Sequence, residues 1–278
     1  MTSKYLIAVV LLSLIILFCL QSCVSGANNV DISNDSGLLW LVNRENMLPA
    51  NFKPVELSEY QGIKLHAAAK EPFSKLLKAM QAEGIHGLRL QSAYRTFSYQ
   101  TAVFNQRVKE FTARGYSKDE AEEAASKSVQ PPGASEHQLG LALDVSLDGT
   151  LTQAFGETRA GKWLEEHSHK YGFIIRYPED KTDITQIVYE PWHLRYVGIP
   201  HSSIMKNLEL TLEEYLSYIK ETQTYICWGE GGEYYLITYS ESRPTVLPHE
   251  VINVSSLNAN SGYIITMRKV YKNTGTWR

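Results

Sequence analysis

Cysteine is scarce in this sequence: three residues in 278, at Cys19, Cys23 and Cys227. The first two lie in an apolar N-terminal segment, so the rest of the chain holds one thiol and cannot close a disulfide within itself. A metal site there must draw on histidine and carboxylate, which zinc accepts. Runs of lysine and arginine are also missing, and the formal net charge is −3. That excludes the basic face that would follow a phosphate backbone, and with it nucleic acid as an expected partner. No internal repeat is present. The apolar fraction of 44% and charged fraction of 21% exclude a disordered chain and describe a globular one.

What is present begins at the N-terminus. After Lys4 the chain is apolar without a break from Tyr5 to Leu20. This run is shorter than the ~20 residues of a spanning helix and suits the apolar core of an export signal. Leu20-Gln21-Ser22-Cys23 resembles a bacterial lipobox, whose cysteine carries lipid and becomes the first mature residue. Gln21 departs from the usual residue there. Lipid attachment at Cys23, ordinary cleavage and an uncleaved anchor all place the body outside the cytoplasm. The expectation is an exported protein held at a bacterial cell membrane. Residues 24–37, "VSGANNVDISNDSG", read as a flexible tether. The body is expected to divide into a main domain, 38–221, and a small β-rich region, 222–278.

Hydrophobic periodicity outlines the main domain. "WLVNRENMLP" reads as a short strand or extended lead-in. Leu65, Ala69, Phe73, Leu76, Leu77 and Met80 predict one buried helix face, with Gly84 as its stop and Pro72 as a kink or new start. "GLRLQSAY" reads as a strand that delivers Arg95. A second helix is expected to bury Val103, Phe104, Val108 and Phe111, and a third opens with the capping box Ser117–Glu120 and runs to Pro131-Pro132. "LALDVSL" alternates, with Leu141, Leu143, Val145 and Leu147 on one face and Asp144 on the other, towards a cleft or solvent. Trp163, Leu164, His167 and Tyr171 share a helix face closed by Gly172. "FIIRY" and "TQIVYEPWHLRYV" read as strands, the second interrupted at Pro191. "LTLEEYLSYI" is a helix with a second capping box, Thr211–Glu214. Beyond residue 222, Tyr, Ile, Val and Thr dominate and predict three or four short strands.

Three stretches carry polar residues that packing does not require: "SAYRTFSYQ" (92–100), "SEHQLGLALD" (135–144) and "EPWH" (190–193). The pair His137 and Asp144 is weak alone, since such spacing arises by accident in roughly one comparable sequence in five. "EPWH" adds a carboxylate and a histidine where a strand breaks, a costly place to bury either without a task. His137, Asp144 and His193 make a donor set for tetrahedral zinc with a fourth position left for water. Glu190 remains as the base for that water. His167 and His169 look metal-like, but they point to opposite sides of a helix and cannot easily share an ion. His66, His86, His201 and His249 have no partner pattern, and Cys227 reads as a small buried side chain.

Together, in this order, "SAYR", "SEHQLGLALD" and "EPWH" resemble the VanY-type D-alanyl-D-alanine carboxypeptidases. These are zinc peptidases that share a fold with hedgehog and lysostaphin-type enzymes. The resemblance covers residues 41–198 and leaves out both the export segment and the C-terminal region. It implies an α+β fold, with an antiparallel sheet bearing the zinc site on one face and helices on the other. It implies one zinc ion on His137, Asp144 and His193, with Glu190 as catalytic base. It implies that Arg95 contacts the scissile carbonyl or the substrate carboxylate, that Ser135 helps hold that carboxylate, and that Gln100 and Trp192 line the substrate cleft. The activity implied is removal of the terminal D-alanine from peptidoglycan stem peptides. The same site would serve an L,D-carboxypeptidase or an endopeptidase. A non-catalytic, zinc-retaining wall-binding module is the reading from another class, and Glu190 argues against it, because a binder needs no base.

Overall fold

The computed structural model of the chain describes residues 37–270, apart from 55, 230–231, 246 and 258–261. The expected export segment and nearly all of the tether lie outside the described residues. Among the described residues, no helix is long and apolar enough to cross a membrane.

A four-stranded antiparallel sheet organises the main body. It contains β3 (Arg89–Ser92), β4 (Ala142–Ser146), β5 (Phe173–Ile175) and β6 (His193–Tyr196), in the spatial order β3-β4-β6-β5. Helix α1 (Ala67–Ala82) covers one face. Its Ala69, Phe73, Leu76 and Met80, spaced three and four residues apart, bury against Leu143, Val145, Phe173 and Leu194. Each large side chain removed from water there contributes ~1.5–3 kcal/mol before entropy is counted. Helix α4 (Arg159–His167) adds Trp163 and Leu164 to the same cluster. The period-two alternation of β4 sends Asp144 to the opposite face. That face is closed as well: all five residues of β4 are buried. Asp144 therefore points into a cleft within the protein and not into open solvent.

Several expected boundaries move. Leu65 belongs to β2 (Ile63–His66), which pairs with β1 (Leu57–Tyr60), and α1 starts only at Ala67. His66 caps α1, its Nδ1 accepting the Ala68 amide at 3.2 Å. Leu65 still packs on the α1 face, which is why it mimics a helical position. Pro72 lies inside α1 and does not divide it. "WLVNRENMLP" forms bends but no strand. Helix α2 (Phe97–Thr112) only half-buries Val103, Phe104, Val108 and Phe111, because its neighbour α3 (Lys118–Ser126) offers small alanines; the one fully buried residue of α2 is Gln100. Helix α3 ends well before Pro131, and the Lys127 carbonyl accepts the amide of Val188. "TQIVYEPWHLRYV" is not one interrupted strand. Its first residues close a short helix, α5 (Thr182–Thr185), and only β6 joins the sheet.

The C-terminal region forms its own antiparallel sheet of β7 (Thr224–Trp228), β8 (Glu233–Ser240), β9 (Val251–Ser256) and β10 (Tyr263–Val270), in the order β7-β8-β10-β9. Its inner face, with Tyr235, Ile237, Tyr239 and Ile264, shares one core with α6 (His201–Leu208), α7 (Leu212–Thr222) and Leu39. Both capping boxes form as expected, at Ser117–Glu120 and Thr211–Glu214. His201 joins all three elements: Nδ1 bonds the Tyr215 hydroxyl at 2.6 Å and Nε2 bonds Thr266 Oγ1 at 3.0 Å. Burial pushes its pKa down to about 3, so it bridges helices and sheet as a neutral imidazole.

Candidate active site

Cross-strand register brings the first pieces of the site together. Asp144 of β4 lies directly opposite His193 of β6 on one side and Ser92 of β3 on the other. Directly opposed residues share a face, with Cβ atoms ~5 Å apart. His193 follows a tight turn in which its amide donates to the Glu190 carbonyl at 3.1 Å, with Pro191 at the corner. Proline favours that position because its φ is already set. The turn folds Glu190 back, so that its Oε2 lies 3.5 Å from His193 Nδ1.

His137 arrives by a different route. It sits on a single 3-10 turn, Glu136–Leu139, between Gly133 and Gly140. Both glycines have positive φ, and a Cβ would stand 2.9 Å from the Leu48 carbonyl oxygen at Gly133 and 2.9 Å from the His66 nitrogen at Gly140. These close approaches let the loop press against the body and bring the imidazole beside Asp144. The His137 carbonyl accepts the Arg95 amide at 3.0 Å, which ties the loop to the end of β3.

The result is a buried cluster. His137 Nε2 lies 3.1 Å from Asp144 Oδ2, and His193 Nδ1 lies 3.3 Å from Asp144 Oδ1. One ligand atom from each of the three residues falls within 4.8 Å of the others, and this is the group of its kind found among the described residues. The donor set fits zinc: two imidazole nitrogens and a carboxylate oxygen. The outer nitrogens fit as well. His137 Nδ1 donates to the Ala93 carbonyl at 2.6 Å, leaving Nε2 with its lone pair turned inward. Asp144 Oδ1 is buried without a hydrogen-bond partner, as expected of an atom whose partner is an ion.

Charges at the site are strongly perturbed. Burial pushes the His137 pKa down to about 4, with Arg95 adding to the effect, so this imidazole is neutral and able to ligate. Burial alone would raise Asp144, but His137 and His193 outweigh it and hold the carboxyl well below its ordinary range. Burial raises Glu190 above the ordinary carboxylate value, only partly offset by His193.

Arg95, Gln100, Ser135, His137, Asp144, Glu190, Trp192 and His193 all line one cleft of about 480 Å³. Arg95 reaches Asp144 Oδ2 with Nη2 at 2.6 Å and rests Nε on Ser92 Oγ at 2.9 Å. The Gln100 amide is committed to the protein: Nε2 donates to the Gln130 carbonyl at 2.7 Å, while Oε1 faces Arg95 Nη1 at 3.5 Å. Gln100 thus braces Arg95 rather than offering a free amide to the cleft. Ser135 is buried in the cleft wall, and Trp192 packs its ring partly into the main core.

Other residues of the site escape a sequence reading. Tyr177 lines the cleft and tilts its ring against His193, centroids 4.8 Å apart. Glu136 is fully buried behind His193, between Arg176 and Arg195. Arg195 places its Nη1 2.7 Å from Glu136 Oε1. A charge at the end of "FIIR" and another inside "HLRYV" were the available signals, since arginine flanked by buried apolar residues must find a partner. His167 packs edge-to-face against Trp163 with centroids 4.9 Å apart, and among the described residues it shares no metal cluster with His169.

The sequence profile described as "VanY: D-alanyl-D-alanine carboxypeptidase" matches residues 62–199. The putative carboxypeptidase YodJ of Bacillus subtilis (strain 168) is 39% identical over 202 residues, spanning 68% of this chain and 71% of that protein. The structure of vancomycin resistance D,D-pentapeptidase VanY in complex with Zn(II) superposes with a TM-score of 0.58 at 41% identity, covering 64% of this chain and 98% of that one. The LD-carboxypeptidase LdcB superposes with a TM-score of 0.58 at 36% identity, covering 69% of this chain and 93% of that one.

Proposed function

The chain belongs to the VanY family and is a zinc-dependent D-alanyl-D-alanine carboxypeptidase, and we propose that its substrate is the peptidoglycan stem pentapeptide, met outside the cytoplasm. The observation that carries this reading is the joining of two functions in one cleft. A His–Asp–His metal cluster and a buried carboxylate, Glu190, stand together with a guanidinium, Arg95, at the same wall.

His137, Asp144 and His193 would hold the zinc. When bound it supplies Lewis acidity and lowers the pKa of water to ~7. Glu190 accepts the proton of the attacking water at its carboxylate and delivers it to the leaving amine nitrogen, a role suited to a carboxyl raised by burial. Arg95 offers paired N–H groups to the developing oxyanion or to the substrate's free carboxylate. Gln100 and Ser92 hold that guanidinium in place. Ser135 and Trp192 shape the pocket for the terminal residue. The test is to give the zinc-loaded protein synthetic stem pentapeptide and tetrapeptide and follow products by mass. The expected product is pentapeptide less one alanine. Bound zinc with no product defeats the enzyme reading, and cleavage of the tetrapeptide alone moves the assignment to L,D-carboxypeptidase, the activity named for LdcB.

We place the enzyme at the cell membrane through Cys23, on the strength of the apolar run and the lipobox-like "LQSC". Cys23→Ser is then expected to release the protein into the soluble fraction on membrane fractionation. Unchanged membrane retention means that the apolar segment itself is the anchor.

A further inference from the structure

Glu136 lies inside "SEHQLGLALD", yet none of the roles above uses it. Its side chain is completely buried, and burying an isolated carboxylate is costly. Two arginines, themselves buried, neutralise it: Oε1 accepts Arg176 Nε at 2.8 Å and lies 2.7 Å from Arg195 Nη1. Both arginines are held in turn. Arg176 forks onto Glu213 in the first turn of α7, at 2.9 and 2.6 Å. Arg195 Nη2 donates to the carbonyls of Leu38 and Trp40, each at 3.0 Å. Apolar packing of similar volume usually stabilises a core as well as such a network does. Stability alone therefore does not account for it.

The other oxygen supplies an account. Glu136 Oε2 has no hydrogen-bond partner, and it faces His193 Nε2, which has none either, at 3.9 Å. His193 turns Nδ1 to Asp144 and Nε2 to Glu136. A histidine ligates through one nitrogen only if the other carries the hydrogen, and an acceptor behind the ring decides which. His137 finds that acceptor in a backbone carbonyl, Ala93. Behind His193, the first residue of β6, stands the Glu136 carboxylate, held by Arg176 and Arg195.

We propose that Glu136 is a positioning residue for the metal centre. It accepts the Nε2–H of His193, so that the Nδ1 lone pair is presented to zinc, and the two arginines fix its carboxylate for that purpose. The proposal rests on the reading of His193 as a ligand.

The experiment is zinc affinity by competition with a chromophoric chelator, alongside melting of the metal-free protein. The chains compared are wild type, Glu136→Gln, Glu136→Asp, Glu213→Gln and His193→Ala. Glu136→Gln is expected to weaken zinc roughly 10–100-fold, the usual loss for such an outer partner. Glu136→Asp keeps the charge between the arginines but withdraws the carboxylate, and is expected to fall between it and wild type. Glu213→Gln loosens Arg176 without facing His193. It is expected to lower the melting temperature yet keep zinc affinity within about threefold of wild type, below what loss of an outer partner causes. If Glu136→Gln does not fold, Glu136→Asp against Glu213→Gln decides the matter. Equal zinc affinity in all the glutamate variants overturns the proposal, as does an equal loss in Glu213→Gln and the Glu136 variants. Wild-type affinity in His193→Ala defeats the ligand assignment itself, a failure distinct from either.

Discussion

Glu190→Ala is expected to keep its zinc and to lose about 10²–10⁴-fold in kcat, the contribution of a positioned general base. The two halves of that expectation come from different parts of the site. The donors that would hold zinc are His137, Asp144 and His193, and the Glu190 carboxylate lies outside that cluster. Its Oε2 stands 3.5 Å from His193 Nδ1, near enough to reach water in the same cleft. The proton it moves is in flight only in the transition state, so kcat and kcat/KM should fall together while KM stays close to wild type. Metal analysis of the purified variant and steady-state kinetics on pentapeptide check both halves. Turnover within about tenfold of wild type would remove Glu190 from its role. Loss of zinc in parallel with activity would make it a ligand or a support for one.

How much of this was legible in the sequence depends on the range of the physics involved. Local rules held where they applied. Alternation in "LALDVSL" placed Asp144 away from the apolar core face, and the capping boxes at Ser117 and Thr211 marked two helix starts that the structure contains. "EPWH" was recognisable because a proline at a turn corner brings residues three apart back together. Leu65 was misplaced because a strand residue that packs on the α1 face has the same spacing as a helical one. The short helix at 182–185 was missed because "TQIVY" has the composition of a strand, while Gln186 at φ +60° ends the helix and the next residues pair outside the main sheet. Glu136 lay in plain view within the motif. Its task depends on Arg176, forty residues on, and on Arg195, and no local pattern announces such a convergence. Gln100 was read as a cleft residue; only the position of the Gln130 carbonyl shows that its amide is already engaged.

Arg95 allows a sharper test, because its two associations pull in opposite directions. Its guanidinium is expected to serve the substrate, and Arg95→Ala should cost about 10²–10³-fold in kcat/KM, as loss of an oxyanion donor does. Arg95→Lys should recover little of this, since an ammonium cannot reproduce the planar fork. Zinc binding should move the other way. Nη2 lies 2.6 Å from Asp144 Oδ2, where its charge pairs with the ligand carboxylate and repels an approaching metal ion. Without the guanidinium, zinc affinity is expected to hold or to tighten. The metal-free variant, left with a buried and less compensated Asp144, should lose ~3 kcal/mol of stability. Zinc should then raise its melting temperature by more than it raises that of wild type. Calorimetry with and without zinc, beside kinetics on pentapeptide, separates the possibilities. If Arg95→Ala lost activity only in proportion to lost zinc, Arg95 would be a brace for Asp144 and no more. If Arg95→Lys worked within about threefold of wild type, a point charge would be all the substrate needs, and the paired N–H groups would have no part in the chemistry.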